Sequence, residues 1–363
     1  MAVVERLIDA AEVDRVLAFF RDFKRPDHIL GHDRDFLLWQ FSPERCRGFE
    51  EAGLSAITLW DDDEIVGFLG VIGCRFNWNG ATSDGGWLCN LIVAPQYRAV
   101  GGWMRLMKSV HRLPISVAGV VGFPPEIGQL YRAMGYHIRE HLYRFIRIVD
   151  PRQTEEIVVG DGWRARLRPS PMSPAPGLGI ESLTALDWRW DRFWQRFSEQ
   201  GYFGANRDSS YIDWRYLRHP RMQHLVKVAV APDGEIQGGA VYRVEQVKDH
   251  PVRLLRLLEL MALDEAAYKC VLGAVVRHGE ELGVAFVDHY TTRPLPPVFG
   301  NVGWFEESDL QDTVVPGLFQ PLVRERRDLN VGVRLFGSLA RDGVDLTRDF
   351  LVVKSDGDQD RPS

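Results

Sequence analysis

Three short stretches in the first half of this 363-residue chain return, in the same order, in the second half. "ERLID…DRVL" from Glu5 pairs with "ESLTA…DRFW" from Glu181. "FLLWQF" (Phe36 to Phe41) pairs with "YIDWRY" (Tyr211 to Tyr216) at its three aromatic positions, and "DEIVGFLGV" from Asp63 pairs with "GEIQGGAVY" from Gly234. The spacing stays near ~170 residues, the usual size of a domain, and the whole chain is long for one hydrophobic core. Two tandem copies are therefore expected. The Pro-rich segment "LRPSPMSPAPGLG", Leu167 to Gly179, is the expected linker, with a boundary near residue 175. The division expected is 1–170, 177–350 and an acidic C-terminal tail, 351–363.

Composition narrows the class. The chain is 45% hydrophobic and 26% charged, ordinary for a globular protein, with a formal net charge of -6. An acidic balance argues against a broad electrostatic grip on nucleic acid. Cys46, Cys74, Cys89 and Cys270 are scattered, with no CxxC pair or zinc-ligand spacing, and read as reduced thiols. The N-terminus has early acids and no long apolar core, and no apolar run reaches membrane-span length, so a cytoplasmic protein is expected. Asp356, Asp358 and Asp360 are evenly spaced in the tail, but a calcium loop needs more ligands, so no metal is expected and the tail reads as solvated.

The first half reads as a mixed α/β unit. A strand over Val3 to Ile8 precedes a helix capped by Asp9 and running through Phe20, with Val13, Val16, Leu17 and Phe20 on one face. A helix fits Arg34 to Phe41. "LSAITLW" and "IVGFLGVIGCRF" read as a hairpin, then the turn "NWNGATSDGG" and the strand "WLCNLIVAP". Gly102 to Leu113 is helical in period, "ISVAGVVGF" is a buried strand, "PEIGQLYRAMGY" a helix from Pro to Gly, and "HIREHLYRFIRIV" a further strand.

That order resembles the GNAT N-acyltransferase superfamily. The residues that carry the resemblance are "NLIVAPQYRAVGGWMRLM", Asn90 to Met107, and "LYRAMGY", Leu130 to Tyr136. In the family a strand ending in V-x-P leads into an R-x-x-G-x-G/A turn and a helix, and the turn's amides take the pyrophosphate of coenzyme A. Unpaired N–H groups and the positive dipole end at a helix N-terminus favour such an anion. Arg98 and Gly101 match, and Trp103 departs where Gly or Ala is usual. The resemblance implies two tandem GNAT-like domains in an α/β (α+β mixed sheet) fold, and acetyl-CoA or another acyl-CoA as cofactor. It implies a cofactor site formed by Leu91, Ile92, Val93, Arg98, Ala99, Val100, Gly101, Gly102 and Trp103. Tyr131, four residues before Gly135, takes the position of the general acid that protonates the departing thiolate; its other reading is a core aromatic.

Amine acylation also needs proton removal. Many members place a Glu on this strand; here Cys89 stands near that position beside Asn90, and Asp84 is the nearest upstream carboxylate. Asp84 is the expected base, with a turn residue as its alternative. His28, His32 and Asp33 between the first helices, with Arg207 and Arg215 from the second half, are expected to shape the acceptor side; each also fits an ordinary ion-pairing residue. The second half lacks the motif: "MALDEAAYKC" has no glycine and places Asp264 and Glu265 at the helix start, and Phe299 replaces the tyrosine. The tail resembles endings of tandem GNAT proteins encoded among bacterial surface-polysaccharide genes, which implies a nucleotide-linked amino sugar as acceptor. A tRNA-dependent aminoacyl transferase of the peptidoglycan-bridge type and a non-catalytic acyl-CoA sensor or scaffold remain as other readings.

Overall fold

The computed structural model describes residues 3–168, 177–337, 339, 345–347 and 349–362. Most of the expected linker, residues 169–176, lies outside them. The first sheet runs β1 (Val4–Leu7), β2 (Ala56–Asp61), β3 (Glu64–Trp78), β4 (Ala81–Val93), β5 (Val117–Val121), β17 (Val331–Leu335), β6 (His137–Arg139). The second runs β14 (Trp304–Glu306), β7 (Tyr143–Ile148), β13 (Phe286–Thr291), β12 (Arg253–Ala262), β11 (Ile236–Gln246), β10 (Leu225–Val230), β8 (Gly179–Leu183). Short β9 (Phe203–Ala205) joins β3 to β18 (Phe350–Leu351), and β15 (Leu318–Phe319) pairs with β16 (Leu322–Val323).

The two sheets follow the same plan, with a parallel pair at β4–β5 and at β12–β13. Each takes one interior strand from the far side of the expected boundary. β7, from the first half, lies between β13 and β14; β17, from the second, lies between β5 and β6. "HIREHLYRFIRIV" is therefore two strands in two sheets. Neither sheet keeps its hydrogen-bond ladder if the halves separate, so the exchange ties them together.

Helices cover the sheets. α1 (Val13–Phe23) buries Val13, Val16, Phe19 and Phe20, and Asp9 closes a capping box with Glu12 in the turn before it. α2 (Arg34–Gln40) is capped by Asp33, which accepts from Phe36 N at 3.0 Å. α3 (Pro95–Arg98), α4 (Gly102–Val110) and α5 (Pro125–Ala133) follow β4 and β5. α6 (Pro151–Ile157), α7 (Trp188–Ser198), α8 (Ser209–Ile212) and α9 (Glu265–Leu282) belong to the later chain. Fully buried Phe20, Phe36, Trp60 and Trp87 lie in one apolar cluster with Trp190 and Tyr216 of the second half, each such side chain contributing about 1.5–3 kcal/mol.

Two further expectations change. The turn after β3 is only Asn79–Gly80, both at positive φ, because Trp78 pairs with Ala81 and the hairpin continues to its tip. The tail is not solvated. Ser355, Asp356, Asp358 and Asp360 are buried, because buried arginines face them: Arg207 donates to Asp356, Arg243 to Asp360, and Arg215 to the carbonyls of Ser355 and Gly357 at 2.7 and 2.6 Å. Evenly spaced acids read as solvent-seeking until the cations that pair with them are placed.

Candidate active site

The site is built on the end of β4. β4 pairs in parallel with β5 only from Gly85 to Leu88, so the strands part beyond Leu88. On the other side the β3 register shifts between Phe68 and Gly70, and Asn90 takes a positive φ of 54°. This bulge re-aims the strand and leaves Leu91, Ile92 and Val93 beside an opening where β5 no longer takes their backbone groups. Asn90 is buried and neither polar atom of its side chain has a hydrogen-bond partner. The Cys89 thiol lies near that amide without a hydrogen bond of normal geometry, and burial pushes its pKa far up. A thiol held protonated in this way is not a nucleophile.

From Val93 the chain turns through α3 into α4. Arg98 Nε donates to Val93 O at 2.8 Å, and Tyr97 donates its hydroxyl to Asp61 on β2, which pins the turn to the sheet. Gly101 caps α4 at φ 80°, and a Cβ there would meet nothing within 4 Å. Gly102 is the opposite case: its Cβ would lie 2.9 Å from both Tyr97 O and Val93 Cγ1. One glycine gives the left-handed turn and leaves space before the helix; the other lets the helix approach the strand. Ala99 and Val100 are exposed on the turn, and Trp103 is half-buried against the cluster containing Leu106, Met107 and Val110. The indole leans on the core, so the first amides of α4 face an open cradle that fits a pyrophosphate.

Tyr131 lies on α5. Its ring is 5.0 Å from Phe123 and 5.1 Å from Tyr136, and its hydroxyl makes no hydrogen bond among the described residues. Burial first, and then the nearby Cys89 thiol, push its pKa up to about 12. The hydroxyl keeps its proton at neutral pH, as an acid for a departing thiolate must.

Residues 26–139 match the family model for the acetyltransferase (GNAT) domain. That stretch of the first half is similar to GNAT acetyltransferase domains. Solved structures share the fold. A probable N-acyltransferase from Enterococcus faecalis aligns with a TM-score of 0.57 at 12% identity, over 92% of this chain and 72% of that one. Eis1 from Mycobacterium abscessus aligns at 0.53 and 16%, over 92% and 73%. The N-myristoyltransferase of Saccharomyces cerevisiae, solved with bound myristoyl-CoA, aligns at 0.52 and 10%, over 93% and 80%. No curated protein matches in sequence. These similarities support N-acyltransferase activity in general terms.

The fold brings Asn90 to Val93, Arg98 to Trp103 and Tyr131 to one region, but not Asp84. Asp84 sits within β4, six residues before Asn90, about 20 Å away along the strand. It is an ion pair with Arg47 at 3.6 Å, at the far end of the β4–β5 pairing. A carboxylate that does act on Cys89 is Asp358 of the buried tail, 7% exposed, which sequence reading missed. The only signal for it was the even spacing of tail acids.

The acceptor residues are corrected as well. Arg207 is fully buried between Glu259 and Asp356, and Arg215 holds the tail carbonyls, so neither is available to a ligand. Asp33 caps α2 and pairs with Arg221; exposed His32 is turned back onto Pro26 O. These polar groups are consumed by caps and ion pairs. His28 lines a cavity.

In the second sheet, Asp264 accepts from Ala267 N at 2.8 Å, so its own carboxylate occupies the N-terminus of α9. Phe299 is buried near Tyr268, their rings 6.4 Å apart.

Proposed function

We propose that acyl transfer from acyl-CoA to a primary amine takes place at the opening between β4 and β5. The observation that supports this most is the conjunction at β4: the bulge at Asn90, the parting from β5 beyond Leu88, and the glycine turn that starts α4. The amides of Gly102 and Trp103, with Ala99, Val100, the open turn at Gly101 and the Arg98 guanidinium, would hold the pyrophosphate. The backbone of Leu91, Ile92 and Val93 would pair with the pantetheine arm. The cofactor supplies an activated thioester. Tyr131 gives its proton to the thiolate as it leaves, and the unpartnered Asn90 amide offers a donor and an acceptor at the bulge. Asp358 takes the proton from the attacking ammonium in place of Asp84.

We assign this chemistry to residues 1–170 and read residues 177–350 as a degenerate copy, since Asp264 closes its equivalent anion site. The finer acceptor we propose is a nucleotide-linked amino sugar, resting on the resemblance of the tail. The test is calorimetry of the full chain with acetyl-CoA and longer acyl-CoAs, followed by transfer to an amine panel. Binding of none of them would sink the reading.

A further inference from the structure

Beside the tail lies a cavity of about 550 Å³, within the range of small-ligand sites. Seven arginine and lysine residues line it against only Asp27 and Glu245. Four of the cations are already matched. Arg243 is paired with Glu245 at 2.6 Å and with Asp360, Arg256 with Asp288 at 3.1 Å, Arg361 with Asp358 at 3.2 Å, and Arg25 with Asp27 at 3.7 Å. The side chains of Lys248, Arg327 and Lys354 have no ion pair or hydrogen bond among the described residues.

Lys354 is the informative one. It is 6% exposed, and its ammonium lies over the face of Tyr290, 5.0 Å away, with no carboxylate in ion-pair contact; Asp288, Asp360 and Glu245 attract it only from a distance and are themselves paired with arginines. Buried charges are ordinarily paired. Burial holds its pKa down to about 7, with Arg256 pushing the same way. His28 adds a second unmatched group. Its Nδ1 accepts from Leu30 N at 3.3 Å, and burial keeps the ring neutral, with a pKa near 3. The ring hydrogen therefore sits on Nε2, a buried donor with no acceptor. The cavity wall is thus short of negative charge and of hydrogen-bond acceptors together.

The cavity shares Gly317, Leu318, Arg327, Lys354 and Gln359 with a smaller one of about 260 Å³ that is also lined by Gly122 and Phe123. Phe123 packs on Tyr131. No residue of the β4–α4 turn lines the larger cavity, so it is separate from the cradle assigned to the cofactor.

We propose that this cavity is an oxyanion subsite for the acceptor, binding a phosphate or carboxylate group through Lys354, Arg327, Lys248 and His28 while the acceptor's amine reaches toward Tyr131. The acceptor role rests on the acyl-transfer reading; the anion site does not.

The test is calorimetry of the full chain with inorganic pyrophosphate and, separately, citrate. At least one should bind, and the tighter of the two tells phosphate from carboxylate recognition. Arg327→Ala, at an exposed position, and Lys354→Met, which keeps the bulk of a buried side chain, should each weaken binding about tenfold. With the cradle filled by saturating coenzyme A, at least one anion should still bind. The proposal is overturned if neither anion binds once coenzyme A is saturating, or if Arg327→Ala and Lys354→Met both leave that binding unchanged. Pyrophosphate binding without any acyl-CoA binding would remove the acyl-transfer reading and leave the anion site standing.

Discussion

Nη2 of Arg207 donates to both carboxylate oxygens of Asp356, at 2.7 and 2.8 Å, while its Nε meets Glu259 at 3.1 Å, and all three side chains are fully buried. The pairing joins residues 149 positions apart and fastens the tail between the halves. Removing one member of a buried ion cluster strands the others, at a cost of about 3–5 kcal/mol. Asp356→Asn should lower the unfolding free energy by about that amount in urea titration. A loss well under 1 kcal/mol would show that the cluster does not fasten the tail.

The turn at Gly101 separates charge from packing. With open space before its Cβ, Gly101→Ala costs only the left-handed backbone, about 1–2 kcal/mol of stability, and should keep most cofactor affinity. Gly101→Asp adds a carboxylate where phosphates would arrive and should weaken acetyl-CoA binding at least about tenfold beyond the alanine variant. Equal affinities for the two variants would mean that the turn is not the phosphate cradle.

How much of this could be read from the sequence follows from the range of each interaction. The glycine turn, the cap at Asp33 and the spacing from Tyr131 to Gly135 are local, and local chemistry specifies them. The exchange of β7 and β17 is not legible. "YRFIRI" and "VGVRL" are ordinary strand sequences, and only long-range pairing selects their sheet. The tail was misread for the same reason: its acids Asp356 and Asp360 are matched by Arg207 and Arg243, and its carbonyls by Arg215, all more than a hundred residues upstream. Asp84 failed on arithmetic: it stands six positions before Asn90 on one extended strand.

Tyr131 offers a clean division between binding and chemistry. Tyr131→Phe keeps the ring against Phe123 and Tyr136 and removes only the hydroxyl, which has no partner among the described residues. Turnover should fall about a hundredfold or more while acetyl-CoA affinity stays nearly constant. Because the hydroxyl pKa stands at about 12, the wild-type rate should show no alkaline decline from this group within the usual assay range. Unchanged turnover in the variant would return Tyr131 to the role of a core aromatic.

Acid should destabilise the protein through its histidines before its carboxylates titrate. Burial holds His28 and His219 at about 3, and His111, His224 and His289 at about 4. The unfolded chain protonates these rings near ~6.5, whereas the native state keeps them neutral. Their folded values are depressed, so the unfolded state binds more protons below ~6.5, and stability falls with pH through that window toward the folded values. Each ring contributes up to about 1.4 kcal/mol per pH unit there. Arg334, hydrogen-bonded to His111 Nδ1, and Arg215, Arg243 and His224 around His219 oppose a proton, while Asp360 favours one at His219 and His224. Melting temperature should therefore drop by many degrees between about pH 7 and pH 5, and replacing one of the histidines should flatten the drop. A melting temperature constant over that interval would show that these rings are not held neutral in the fold.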